Sequence, residues 1–190
     1  MEIAITDVLG RRSDLSTFIV HFTRKTDDGK TARQNLRSIL MSQTLEARSP
    51  FGPAWRSLRK SRERDSQNCV SFSETPLEHV YCLTGRIPNR QVHLSRYGLA
   101  LTRVTARRKA INPVWYVDIT QGHDWLMNPI NTLIDRTIEA RKRFSTSQLA
   151  LIAPFIEQMG TGQTYRKEFW WEREWRTVIH DRPRFRSVLP

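Results

Sequence analysis

Apolar positions along this chain fall into short β-like runs separated by stretches with helical spacing. The first run, Phe18-Ile19-Val20-His21-Phe22, is β-prone and carries a histidine. A polar, turn-rich stretch from Arg24 to Lys30 follows. Leu36, Ile39 and Leu40 then recur on one helical face, which predicts a helix from about Thr31 to Thr44. Cys69-Val70-Ser71-Phe72-Ser73 is a second β-prone run. Behind it, Thr75-Pro76-Leu77-Glu78 has the form of a capping box, with a helix continuing through Val80, Tyr81 and Leu83 to Gly85. Tyr97 to Thr102 is a third run, and Pro113 to Val117 a fourth, whose aromatic and β-branched residues suit a pleated surface. Ile130, Leu133, Ile134 and Ile138 make an amphipathic helical stripe. Leu149 to Met159 reads as a further helix, interrupted by Pro154 and stopped at Gly160-Thr161-Gly162. Alternation resumes from Trp175 to Ile179 as a last strand. Short strands divided by helices, with no internal repeat, predict an α+β fold in one domain over residues 1–190. A Pro-, Gly-, Ser- and Arg-rich segment at about 49–68 reads as a basic loop.

Composition narrows the classes. A hydrophobic fraction of 38%, with eight Phe, six Trp and four Tyr, supplies enough apolar bulk for a core and excludes wholesale disorder. No stretch approaches the roughly 18 apolar residues of a membrane span. The start, Met1-Glu2-Ile3-Ala4, lacks a basic-then-apolar leader, so the expectation is a cytoplasmic protein without a membrane partner. Cys69 and Cys82 are too few for a disulfide framework or a four-thiolate zinc site and read as reduced thiols. The five His residues show no ligand spacing, so no metal is expected. Lys and Arg number 31 against 19 acidic residues, a net charge of +12. Such a field concentrates polyanions, which points to nucleic acid, RNA or DNA, as partner. Arginine dominates over lysine, which suits bidentate phosphate contacts. The arginine-rich segments are Arg56 to Arg64, Arg103 to Lys109 and Arg136 to Arg143. The plainer reading of the same charge is a solubilising surface.

Three pairs of residues carry candidate chemistry. His21 and Thr23 share a strand face by the period of two, as do Ser71 and Ser73. Glu172 and Glu174, again two apart, stand at the mouth of the last strand, flanked by Trp171 and Trp175. Taken singly, each has an ordinary structural explanation: a core histidine, a chance Ser-x-Ser, an ion-pair ladder. In this order they resemble the ADP-ribosyltransferase family. His21-Phe22-Thr23 followed by Asn35-Leu36-Arg37-Ser38-Ile39-Leu40 is similar to its DNA-targeting toxins and related RNA-modifying enzymes. Val70 to Leu77 and Glu172 to Arg176 also resemble bacterial abortive-infection proteins, which act in phage defence. The leading residue is His where Arg accompanies Ser-x-Ser and Glu-x-Glu, so the pattern mixes two subclasses. Tyr97, before Gly98, stands where His-led members carry a tyrosine.

The resemblance implies an ADP-ribosyltransferase-like mixed β fold, with a split two-sheet core, flanking helices and NAD bound as substrate between the sheets. It implies NAD contacts from His21, Thr23, Ser71, Ser73 and Tyr97. Glu174 would stabilise oxocarbenium character as the nicotinamide–ribose bond breaks, and Glu172 would orient or deprotonate the nucleophile. Trp170, Trp171 and Trp175 read either as a core lid or as a base-stacking platform. The function so implied is transfer of ADP-ribose to RNA or DNA by a bacterial toxin or anti-phage effector, held in check by an antitoxin or regulatory partner. Two other classes remain open: a metal-independent ribonuclease using His21 or His180, and a non-catalytic nucleic-acid binder.

Overall fold

The structure is a computed structural model; it describes residues 12–58, 62–87, 90, 92–140, 143–162 and 166–178, and the backbone of 185–186. Along the chain the elements are β1 (Phe18–Phe22), α1 (Ala32–Ser42), β2 (Thr44–Leu45), β3 (Ser49–Pro50), α2 (Ala54–Ser57), β4 (Asn68–Ser73), α3 (Val80–Leu83) and β5 (Gly98–Thr102). They continue as α4 (Arg103–Arg108), β6 (Asn112–Pro113), β7 (Trp115–Asp118), α5 (Met127–Glu139), α6 (Gln148–Ile152), β8 (Ile156–Thr161), β9 (Arg166–Lys167), β10 (Glu174–Val178) and β11 (Phe185–Arg186). The main sheet runs β5-β1-β4-β10-β6, with β3 also on β4, and all its pairs are antiparallel. A second sheet runs β7-β8-β9, with β7 and β8 parallel; β2 pairs with β11 apart from both. The expected α+β class is what is observed. The four strands that carry the candidate residues, β5, β1, β4 and β10, are consecutive neighbours in one sheet.

Local chemistry explains several boundaries. Helix α1 opens with a capping box: the Thr31 hydroxyl accepts from the Gln34 amide, and the Thr31 amide donates to Gln34 Oε1 at 2.8 Å. The capping box expected at Thr75 does not form. Pro76 is still extended (φ −48°, ψ 134°), so a 3-10 turn starts at Leu77 and α3 only at Val80, with no side-chain cap. The basic segment Arg103 to Lys109 is mostly helix, because the Thr102 hydroxyl caps Thr105 at 3.1 Å. The helix expected from Leu149 to Met159 ends at Ile152. Pro154 lacks the amide to continue it, and the chain passes through a 3-10 turn into β8. The segment expected as a basic loop holds β3, α2 and a 3-10 turn at Arg62–Gln67, while residues 59–61 lie outside the described residues. The strand predicted at 113–117 is divided between the sheets: Asn112–Pro113 pairs with β10, and Trp115–Asp118 pairs with β8.

Each sheet has its own core. Ile19, Val70, Phe72, Leu101 and Trp175 share one face of the main sheet and pack with Leu45, Ala106 and Ile111, with Ile39 of α1 against them. Val117 and Ile156 of the second sheet pack on Met127, Ile130 and Ile134 of α5, with Phe144 and Ala153. Phe72 sits at the middle of the first core, 2% exposed. Phe72→Ala should cost about 3–5 kcal/mol of unfolding free energy in urea denaturation. A loss below about 1 kcal/mol would mean that this face does not carry the sheet's packing.

Candidate functional site

The register decides which candidate residues meet. Glu174 lies opposite Ser73 and Arg176 opposite Ser71, so these four side chains share one face of the main sheet. Val20 lies opposite Ser73, so alternation places His21 on the other face. The His21 ring accordingly meets Phe72, centroids 5.6 Å apart, on the core side. Its Nδ1 donates to the Ser71 carbonyl at 2.8 Å, and burial pushes its pKa down, which leaves it neutral. The Thr23 hydroxyl is buried between the carbonyls of Ala32 (2.9 Å) and Tyr97 (3.0 Å). His21 and Thr23 therefore do not converge with Glu174, because an offset of one residue along a strand reverses the face. Tyr97 sits at the end of β5 beside Thr23, away from Glu174. His180 lies outside the described residues.

Glu172 and Glu174 also part company. Arg173 adopts the left-handed region (φ 47°), so Glu172 sits on a 3-10 turn while Glu174 opens β10. Glu172 pairs with Arg90 at 2.9 Å, both nearly buried. Burial raises the Glu172 carboxyl to about 7; Arg90 opposes this and the Glu174 charge adds to it.

Glu174 belongs to a buried ionic network that the sequence pattern did not reveal. Arg176, wholly buried, donates Nε to Glu174 Oε1 (3.0 Å) and Nη2 to Glu174 Oε2 (2.6 Å). Its Nη1 donates to the Pro154 carbonyl (2.7 Å), Nη2 also reaches Glu157 on β8, and the guanidinium lies 4.1 Å from the Phe51 ring centroid. Lys167 of β9 is the second partner of Glu157. Burial pushes the Glu174 carboxyl up, with Arg176 pulling it partly back. Burial acts the same way on Glu157, but Arg176 and Lys167 outweigh it and hold that carboxyl below its ordinary value. The Glu174 amide donates to the Tyr116 hydroxyl of β7 at 2.8 Å, another tie between the sheets.

A cleft of about 750 Å³ opens at this junction. Its walls include Tyr116, Trp170, Trp171 and Trp175, and its acidic groups include Glu74, Asp118 and Glu174. Trp170 and Trp171, from the turn before β10, are half exposed, which favours the platform reading of these rings over the lid. Glu74, only 3% exposed, accepts from Trp175 Nε1 at 2.7 Å and Arg103 at 3.1 Å. Gly160 lets β8 pass close behind Asp118. Its φ is +99°, and a Cβ there would lie 2.4 Å from Asp118 Oδ1. Ser71, Ser73, His21, Thr23, Tyr97 and Glu172 do not line the cleft; Glu174 does. Among the described residues no group of three or more His, Cys, Asp or Glu could hold a metal ion, and no helix is long and apolar enough to cross a membrane.

A family model described as "Putative abortive phage resistance protein AbiGi, antitoxin" matches residues 37–185, more than three quarters of the chain. The chain belongs to the AbiGi family. The match covers every cleft residue named above, together with the whole Arg176 network. Membership places the chain in abortive infection and phage defence, in agreement with the resemblance read from Val70 to Leu77 and Glu172 to Arg176. A toxin–antitoxin setting is common to that reading and to the AbiGi description, and the description gives the antitoxin role to the family. No curated protein and no solved structure matches the chain.

The Glu172 environment predicts a pH dependence. With a folded value near 7 against 4.5 in the unfolded chain, the folded state keeps its proton longer. Glu172 therefore contributes most to stability below pH 4.5, and that contribution is lost as pH rises toward 7. The depressed His21 contributes with opposite sign through its own range, so the comparison is between variants. Glu172→Gln should remove a fall of about 3 kcal/mol between pH 5 and 8, read by urea denaturation at each pH. Identical pH profiles for the two proteins would contradict the assignment.

Proposed function

We propose that this AbiGi-family chain is the antitoxin of an abortive-infection pair and restrains its toxin by direct binding at the cleft between the two sheets. The observation that carries this reading is the state of Glu174. Both of its oxygens are held by Arg176, which fits a wall of a recognition site. Of the groups expected to grip NAD, the His21 imidazole and the Thr23 hydroxyl are engaged elsewhere, with backbone carbonyls. Exposed indoles lining a concave surface with a few polar groups are characteristic of a binding site. Co-expression of this chain should restore growth to cells arrested by the toxin of its own system. The double variant Trp170→Ala/Trp171→Ala, folded by circular dichroism, should lose that rescue. Failure of the natural chain to rescue would overturn the antitoxin role, and undiminished rescue by the variant would separate that role from the cleft.

A second reading, ADP-ribose transfer from NAD to RNA or DNA, is favoured by one specific observation. Glu174 reaches the cleft from β10, beside the Ser-x-Ser strand and in register with Ser73. Each carboxylate oxygen bonded to Arg176 retains a lone pair for a ribose hydroxyl. In this reading nicotinamide leaves with the bonding pair, Glu174 stabilises the oxocarbenium ion, and the acceptor loses a proton as it attacks. The net charge of +12 favours a polyanionic acceptor. Incubation with labelled NAD and either nucleic acid should give label transfer that Glu174→Gln abolishes by at least about 100-fold. Absence of transfer and of NAD cleavage by the natural chain would remove this reading and leave the first.

A further inference from the structure

The cleft gathers carboxylates on a basic molecule. The chain carries +12 overall, yet the carboxylates lining the cleft are Asp14, Glu74, Asp118, Glu168 and Glu174, against the single guanidinium of Arg173. Carboxylates alone describe many solvated surfaces. Here they rim a concave volume of about 750 Å³ walled by phenol and indole rings. Four of the five already have cations: Glu174 is held by Arg176, Glu74 by Arg103, Asp14 by Arg12 and Glu168 by Arg166. Asp118 differs. Its Oδ1 accepts from the Thr120 amide at 2.7 Å, and it makes no ion pair among the described residues. The Thr120 hydrogen bonds hold its carboxyl below the ordinary value, so it stays ionised. Glu168 accepts from Trp170 Nε1 at 3.1 Å, which sets one ring at the rim beside a second negative group.

Resting on the antitoxin reading, we infer that the cleft receives an arginine-bearing segment of the toxin, with a guanidinium stacked on Trp170 or Trp171 and paired with Asp118. A phosphate-bearing guest would meet the uncompensated charge of Asp118, while the neighbouring arginines are already engaged by carboxylates, so the lining disfavours it. A cation gains twice, from the ring faces and from the carboxylates. Arginine fits better than lysine, because a planar guanidinium stacks on an indole and forks onto a carboxylate at once. The volume is several times that of one guanidinium, which leaves room for the flanking residues of a polypeptide.

The test is a tryptophan-fluorescence titration of the full chain with the blocked tripeptide acetyl-Gly-Arg-Gly-amide, beside its citrulline analogue, which keeps the shape and loses the charge. The arginine peptide should bind saturably, and the citrulline peptide at least about fivefold more weakly. Asp118→Asn preserves the acceptor for the Thr120 amide and should weaken the arginine peptide by a similar factor, with the citrulline peptide unaffected. Equal affinity for the two peptides, unchanged binding in Asp118→Asn, or no saturable binding would each overturn the inference. Growth rescue with a failed titration removes the arginine guest and leaves the antitoxin role standing. A positive titration without rescue does the reverse.

Discussion

The arrangement of the two sheets depends on one buried guanidinium. Burying Arg176 in apolar surroundings costs several kcal/mol unless its donors find partners. Glu174 on its own strand, Glu157 on β8, and the Pro154 carbonyl just before β8 supply them, and Phe51 covers the ring-like face of the guanidinium. These partners come from both sheets, so satisfying the charge fixes how β10 lies against β8. Lys167 completes the network by giving Glu157 a second cation, so that two carboxylates are matched by two positive charges. The cleft is the space left on the open side of this junction.

The main sheet then divides its two faces by chemistry. One face, with Ile19, Phe72 and Trp175, is a packing surface, and His21 belongs to it as a neutral, hydrogen-bonded core residue. The other face presents Ser71, Ser73, Glu174 and Arg176 toward the second sheet. Glu74 links the two: it follows β4 directly and anchors the Trp175 indole while lining the cleft. The proposed binding site lies at this junction between the sheets, where carboxylates and exposed indoles gather on a basic molecule.

The sequence showed the strands at Phe18, Cys69, Tyr97 and Trp175 through their apolar runs, and α5 through the stripe at Ile130 and Ile134. Those signals are local. The helix predicted beyond Ile152 failed because Leu149 to Phe155 is apolar enough for either state, and Pro154 decides between them only once β7 offers β8 a parallel partner. Glu174, singled out in the sequence because it stands beside tryptophans at a strand mouth, does line the cleft. Arg176 was not singled out, since its partners Glu157 and Pro154 lie about twenty residues away in sequence and meet it only through the fold. His21 was misplaced relative to Glu174 because pairing register, which sets the face, leaves no trace in a single strand's composition. Asp118 and Glu74 carry no motif at all; their places in the cleft follow from Gly160 and from the Trp175 indole beside them.

The claim that Arg176 joins the sheets is tested most directly by a double-mutant cycle on unfolding free energy, using Arg176→Met, Glu157→Gln and the two combined. The account predicts that each single change is costly and that the pair costs at least about 2 kcal/mol less than the sum, because the second change removes a group that the first left buried and unpaired. Costs that add to within about 0.5 kcal/mol would show the two side chains to be independent, and the junction would then have to be held by something other than this guanidinium.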